Sequence, residues 1–202
     1  IEFVLAAEGW QAADANTGAP VRLAAAAGQS LPIGSGLAWL ESPARDLNVG
    51  LESLMPAMLA ADGSEVVCAR ITLENPAPAG SGSIAVDHLV LRARDREGQA
   101  LAIGAAVARL TAVAGGETWA ESEALAPDSL TALLSAAAPL AIAPQSPVVL
   151  ELRAVMREGA TAASLCLGME AQDIGIVQPD SPLLAVTAHA AEGQSFPLWT
   201  LA

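Results

Sequence analysis

Lysine and tyrosine are both absent from the 202 residues, and only two cysteines, two histidines and two phenylalanines occur. Each scarcity excludes something. All nine basic residues are arginines, set against 22 acids, for a formal charge of −13. A chain with that balance lacks the basic surface that releases counterions from nucleic acid, and it has no attraction for anionic lipid. With Cys68 and Cys166 about a hundred residues apart, no Cys-x-x-Cys pair exists for a zinc ribbon, a redox motif or a c-type haem. Apolar runs are short: Arg109 ends Ala100–Ala108, and Pro139 interrupts Leu130–Ala143. Neither approaches the roughly 20 residues of a spanning helix, so membrane insertion is not expected. Ile1–Ala7 lacks the basic and long apolar regions of a signal peptide.

Apolar residues are abundant at 53%, yet aromatics make up only 3%. The core is therefore expected to consist of Ala, Val, Leu and Ile. Period-two alternation marks the strands. Val67, Ala69, Ile71 and Leu73 share one face of Val66–Leu73. Leu89, Leu91 and Ala93 do so in Val86–Arg94, and Leu150, Leu152 and Ala154 in Val148–Val155. One buried and one wetter face is the mark of antiparallel sheets. Between them lie breaker-rich loops such as Asn75–Gly82, the compact turn Asp95-Arg96-Glu97-Gly98, and Pro144–Pro147. Helix signals are poor. Leu51–Leu59 reads as a short helical or irregular link limited by Pro56, and Ser129–Leu134 as a strand. The expectation is an all-β protein, an antiparallel β-sandwich.

The most specific feature is internal. Ile1–Ile33 aligns with Leu165–Leu198 with one gap. Ile1–Leu5 lies opposite Leu165–Met169, Trp10 opposite Ile174, and Val21–Leu23 opposite Val186–Ala188. Gly28-Gln29-Ser30-Leu31-Pro32 then matches Gly193-Gln194-Ser195-Phe196-Pro197 at four of five positions. Residues 1–40 thus read as the late strands of a preceding repeat, residues 41–63 as a linker, and residues 64–202 as the sandwich module. Strands with an apolar face need cover. Phe3, Leu5, Val21 and Leu23 are the candidate assembly residues, either inserted beside strands of the same chain or donated to a neighbouring subunit.

Val66–Pro76 and the link from Leu140 into Val148–Leu152 resemble bacterial cell-surface β-sandwich repeat modules of the cohesin-like or immunoglobulin-like type. That resemblance implies an extracellular or cell-surface location, with the periplasm as the other exported compartment. It also implies a non-catalytic structural or adhesive role. It assigns no functional residue.

Chemistry-bearing patterns are thin. No nucleophile elbow, Walker loop or His-Glu-x-x-His motif occurs, and His88 and His189 read as surface or half-buried side chains. No catalytic, cofactor or metal residue is expected. Asp14–Gly18 resembles the start of a calcium loop, but Ala25 stands where its bidentate Glu belongs. Paired carboxylates, Glu121 with Glu123 and Asp173 with Asp180, are what any acidic surface supplies. Trp10, Trp39, Trp119 and Trp199 suit packing, with a sugar-stacking platform, and hence a carbohydrate-binding module, as the alternative. Cys68 and Cys166 remain as one disulfide or two buried thiols. The expected partners are further copies or neighbouring repeats, then carbohydrate or another surface protein.

Overall fold

The computed structural model describes residues 44–161, 164–177 and 185–200, together with the backbone of four two-residue strands nearer the N-terminus. Two compact units divide the chain, Ile1–Glu41 and Ser42–Ala202. In the first, β1 (Val4–Leu5) pairs antiparallel with β4 (Ile33–Gly34), and β2 (Ala12–Ala13) with β3 (Pro20–Val21).

The second unit is all-β and rests on one sheet. Its strands are β5 (Asp46–Ser53), β6 (Glu65–Glu74), β7 (Ile84–Arg94), β8 (Ala100–Leu101), β9 (Val107–Ala114), β10 (Glu117–Glu121), β11 (Thr131–Ile142), β12 (Val148–Met156), β13 (Cys166–Met169), β14 (Ile174–Val177), β15 (Thr187–Ala190) and β16 (Leu198–Trp199). The hydrogen-bonded order is β15-β5-β6-β12-β9-β10-β11-β7-β13-β16, with β8 and β14 also on β7. These 12 strands make a mixed sheet nearly closed into a barrel. The pairing departs from the expected antiparallel sandwich in two respects. The path is continuous, and β15 runs parallel to β5.

The alternation read from sequence explains which faces are buried. Leu89, Leu91, Leu150, Leu152, Ile71, Leu73, Leu165, Leu167 and Met169 all join one core. Ala69, Ala93, Ala112, Ala132 and Ala154 fill it between them, so little aromatic bulk is required. Each large aliphatic side chain there contributes roughly 1.5–3 kcal/mol.

Several elements differ from the sequence reading. Residues 41–63 include β5, whose Leu47, Val49 and Leu51 are buried; the stretch between Ser53 and β6 is irregular. The run Ala100–Ala108 divides into β8, a helical turn α1 (Ile103–Ala106) and the start of β9. Alanine carries no period, so the sequence pattern does not reveal this division. Gly104 makes it workable, because a Cβ there would collide with the Ala126 carbonyl. The Arg157 guanidinium donates to the Gly104 and Leu125 carbonyls and ties the turn to the loop after β10.

Two crossover connections, β6 to β7 and β11 to β12, meet at Asn75, which is fully buried. Its Nδ2 donates to the carbonyls of Gly82 (3.1 Å) and Ile142 (3.2 Å), and its Oδ1 accepts from Ala77 N (3.1 Å). Its own carbonyl accepts from Gln145 N at 2.8 Å. A buried amide this well satisfied fixes both crossovers at one point. Among the described residues, no helix is long and apolar enough to cross a membrane.

Candidate functional site: the sheet edge closed by the terminal strands

β7 receives the last part of the chain along one edge. β13 pairs with its C-terminal half (Cys166 opposite Arg94, Leu167 opposite Ala93, Gly168 opposite Arg92), and β14 continues from Ile174 opposite Leu89. Between these pairings β7 contributes Val90 and Leu91, while the terminal segment contributes Met169–Asp173. The excess is taken up by a 3-10 turn, Ala171–Asp173. Arg92 holds that turn with two hydrogen bonds to Asp173, Nε to Oδ2 at 3.0 Å and Nη2 to Oδ1 at 2.8 Å. Asp173 Oδ2 also accepts from Glu170 N at 2.9 Å. Burial alone raises the Asp173 carboxyl pKa. The Arg92 hydrogen bonds, the Glu170 N–H and the Arg92 charge outweigh it and hold the group below the ordinary carboxylate value.

β16 covers the outer side of β13, with Gly168 opposite Trp199 and Met169 opposite Leu198. Thr200 extends the pairing: Leu167 N donates to Thr200 Oγ1 (2.9 Å), and Thr200 N to the Leu167 carbonyl (2.8 Å). The glycine is necessary, since a Cβ at 168 would collide with the Trp199 ring and the Leu198 carbonyl. The Arg94 guanidinium sits over the same ring, 4.2 Å from its centroid. A second glycine, Gly175, accommodates the His88 ring and the Asp87 carboxylate in the same way.

The sheet's two edge strands, β15 and β16, are joined by Ala191–Pro197, with a cis Phe196–Pro197 bond and Gly193 at φ +79°. Backbone pairing along β5 ends where Ala191 N donates to the Val49 carbonyl at 2.8 Å. The Gln194 side chain then takes over. Its Oε1 accepts from Leu51 N (3.0 Å), and its Nε2 donates to the Leu51 carbonyl (2.7 Å). One primary amide thus performs the two-bond exchange of a strand residue. That accounts for the glutamine of Gly-Gln-Ser-apolar-Pro.

The first unit repeats the closing pair in register. β1 and β4 set Val4 opposite Gly34 and Leu5 opposite Ile33. β13 and β16 set Gly168 opposite Trp199 and Met169 opposite Leu198. Under the sequence alignment these are the same two pairings. The glycine changes sides: Gly168 faces Trp199, whereas Gly34 faces Val4. Each pair therefore keeps one residue without a side chain. Of the assembly candidates, Leu5 and Val21 lie in these paired strands, Val21 opposite Ala12. Phe3 and Leu23 lie outside the described residues.

The other candidates are dispersed. Cys68 and Cys166 are both free and buried, on β6 and β13, which are not neighbours. The register of β6 on β12 skips Cys68, passing from Ala69 to Val67. That bulge buries Cys68 beside Ala69, rather than turning it away from the core as alternation suggests. Burial pushes its thiol up to about 12. His88 pairs with Asp87 (2.6 Å) and His189 with Asp46 (3.0 Å). Glu121 is bound by Arg109 at 2.7 Å. The indole Nε1 atoms of the half-buried Trp119 and Trp199 are enclosed and without an acceptor. Asp14–Gly18, Trp10, Trp39 and Asp180 lie outside the described residues. No group of three or more His, Cys, Asp or Glu among the described residues could hold a metal ion. A cleft of about 370 Å³ has Met55, Met58, Leu59, Met156 and Leu165 in its wall, and Arg96 as the charged group among its described lining residues.

Sequence reasoning finds the repeated closing motif but misses Asn75 and the Arg92–Asp173 pair. Asn75-Pro76 signals only a turn, and nothing local ties Arg92 to a residue 81 positions away. The chain matches no protein-family model, no curated protein and no solved structure.

Proposed function

We propose that this chain is a non-catalytic structural module that works in a row of like modules, each closed by its own terminal strand pair. Ile1–Glu41 is then the terminal part of a neighbouring module. The observation that carries the reading is the shared register: Val4–Gly34 and Leu5–Ile33 on one side, Gly168–Trp199 and Met169–Leu198 on the other. Each pair also holds one glycine, on the first strand in Gly168–Trp199 and on the second in Val4–Gly34, which fits the same reading. An acidic, lysine-free surface suits an exported, cell-surface setting, where net charge keeps crowded modules soluble. Kinship with cohesin-like or immunoglobulin-like sandwiches belongs to the same proposal.

Deleting Ile1–Glu41 tests it. A module complete in Ser42–Ala202 keeps its melting temperature within about 2 °C of the full chain's, equivalent to less than about 1 kcal/mol. A fall of about 5 °C or more would mean that the first unit completes the second unit's own sheet, and the reading would be wrong.

A further inference from the structure

We propose that the cleft walled by Met55, Met58 and Met156 binds a small aliphatic carboxylate, whose head group is held by Arg96 and the Ser164 hydroxyl. This site is separate from the terminal strand pair and independent of the tandem reading. Four segments meet there: the irregular stretch between β5 and β6, the turn between β7 and β8, the end of β12, and the approach to β13. Two backbone bonds fasten the first of these to the end of β12, Met156 N to the Ser64 carbonyl and Gly159 N to the Ala61 carbonyl, both at 2.9 Å. The cleft's volume of about 370 Å³ falls among small-molecule pockets, which run from about 300 to 1,000 Å³.

The wall suits an alkyl chain. Met156 and Leu165 belong to the buried core, and Met55 and Leu59 pack against it. Met58 is 88% exposed, so an occupant lying beside it takes an apolar side chain out of water. Three of the chain's four methionines gather here, and the unbranched methionine side chain fits itself to ligands of differing shape.

The head group follows from charge. The chain carries 22 acids, yet none is among the described lining residues of this cleft. Arg96 lies on the turn Asp95–Gly98, and its N donates to Ser164 Oγ at 2.9 Å. That bond fixes the serine beside the arginine and leaves the hydroxyl proton for a ligand. Arg70, Arg92, Arg109 and Arg153 are each paired with a carboxylate. Among the described residues, no carboxylate pairs with Arg96. A guanidinium takes a carboxylate through two parallel N–H donors. One arginine balances one negative charge, whereas a phosphate leaves a surplus in a chain of net charge −13.

The test titrates the full chain, with isotope-labelled methionine methyl groups followed by NMR, with octanoate, octanol and octylammonium, each below its micelle-forming concentration. Met169, buried on β13 and outside the cleft lining, is the internal control. Octanoate should shift the Met55, Met58 and Met156 signals along one saturable curve and leave Met169 in place. Octanol should bind about three- to tenfold more weakly, and octylammonium more weakly still. Arg96→Gln should bring octanoate down to the affinity of octanol and leave octanol unchanged. Its melting temperature should match wild type, because the side chain is exposed. No saturable shift at the three cleft methyls, a Met169 shift equal to theirs, or an Arg96→Gln chain that binds octanoate as wild type does overturns the assignment. Deletion of Ile1–Glu41 decides the tandem reading by melting temperature alone, so either can fail without the other.

Discussion

Gln194 bridges the end of one edge strand and the body of β5, so its removal opens the sheet at a defined place. Gln194→Ala deletes two hydrogen bonds to one residue, the Leu51 N–H and carbonyl, at 3.0 and 2.7 Å. Each such bond contributes about 0.5–1.5 kcal/mol net. The site is part-buried, so water replaces some of the loss, and about 1–2 kcal/mol is expected. For a unit of this size that is a fall of about 2–8 °C in melting temperature. The effect is also local. Leu51 amide exchange should speed up about 5–30-fold, while exchange in β9 and β12 tracks global stability alone. Gln194→Glu separates geometry from bonding: it keeps the acceptor for Leu51 N but sets a carboxylate against the Leu51 carbonyl. It should cost at least as much as alanine at neutral pH. A Gln194→Ala protein with unchanged stability and unchanged Leu51 exchange would refute the role given to this side chain.

Asn75→Ala removes three side-chain hydrogen bonds and leaves the buried Ile142 carbonyl without that donor. About 2–4 kcal/mol should be lost, read as a lower urea midpoint. Leu152, 1% exposed, leaves a cavity on Leu152→Ala, at about 2–5 kcal/mol in the same assay. Asp173→Asn should cost about 2–3 kcal/mol at neutral pH, less than a fully buried pair because Arg92 reaches water. The native Asp173 pKa lies below its ordinary value. Its contribution is therefore complete above the unfolded pKa of about 3.9 and disappears as pH falls through the folded value. The stability gap between wild type and Asp173→Asn should accordingly narrow as pH falls below about 4 in acid titrations followed by circular dichroism.

The strands most legible in the sequence are those with a wet face. In β7, Leu89, Leu91 and Ala93 alternate with His88, Val90, Arg92 and Arg94, three of them polar, so the period shows. In Ala100–Ala108 nearly every residue is small or apolar, and the division into β8, α1 and β9 is decided by packing on Ala126. Simple alternation misplaces Cys68 because a bulge shifts the phase by one residue, and a bulge depends on the partner strand β12. The edge strand β15 meets β5 in a parallel pairing between segments separated by most of the chain. Neither segment encodes that meeting locally. The candidate interface is half legible. Gly-Gln-Ser-apolar-Pro is visible as a repeat, but the use of Gln194 as a surrogate strand residue and the glycine's change of side between Gly168–Trp199 and Val4–Gly34 emerge only once the pairs are set opposite each other.

The most direct measurement supplies the first unit with the body its alignment implies. Residues 46–164 fused directly ahead of Ile1 place β5 to β12 before β1, as they stand before β13. If the first unit is the terminal part of a like module, the fused chain forms two barrels. Its unfolding enthalpy per chain then comes to about twice that of Ser42–Ala202, and the β1 and β4 amides exchange about as slowly as those of β13 and β16. An added segment that stays unfolded, with the enthalpy unchanged and β1 exchanging freely, would contradict the account.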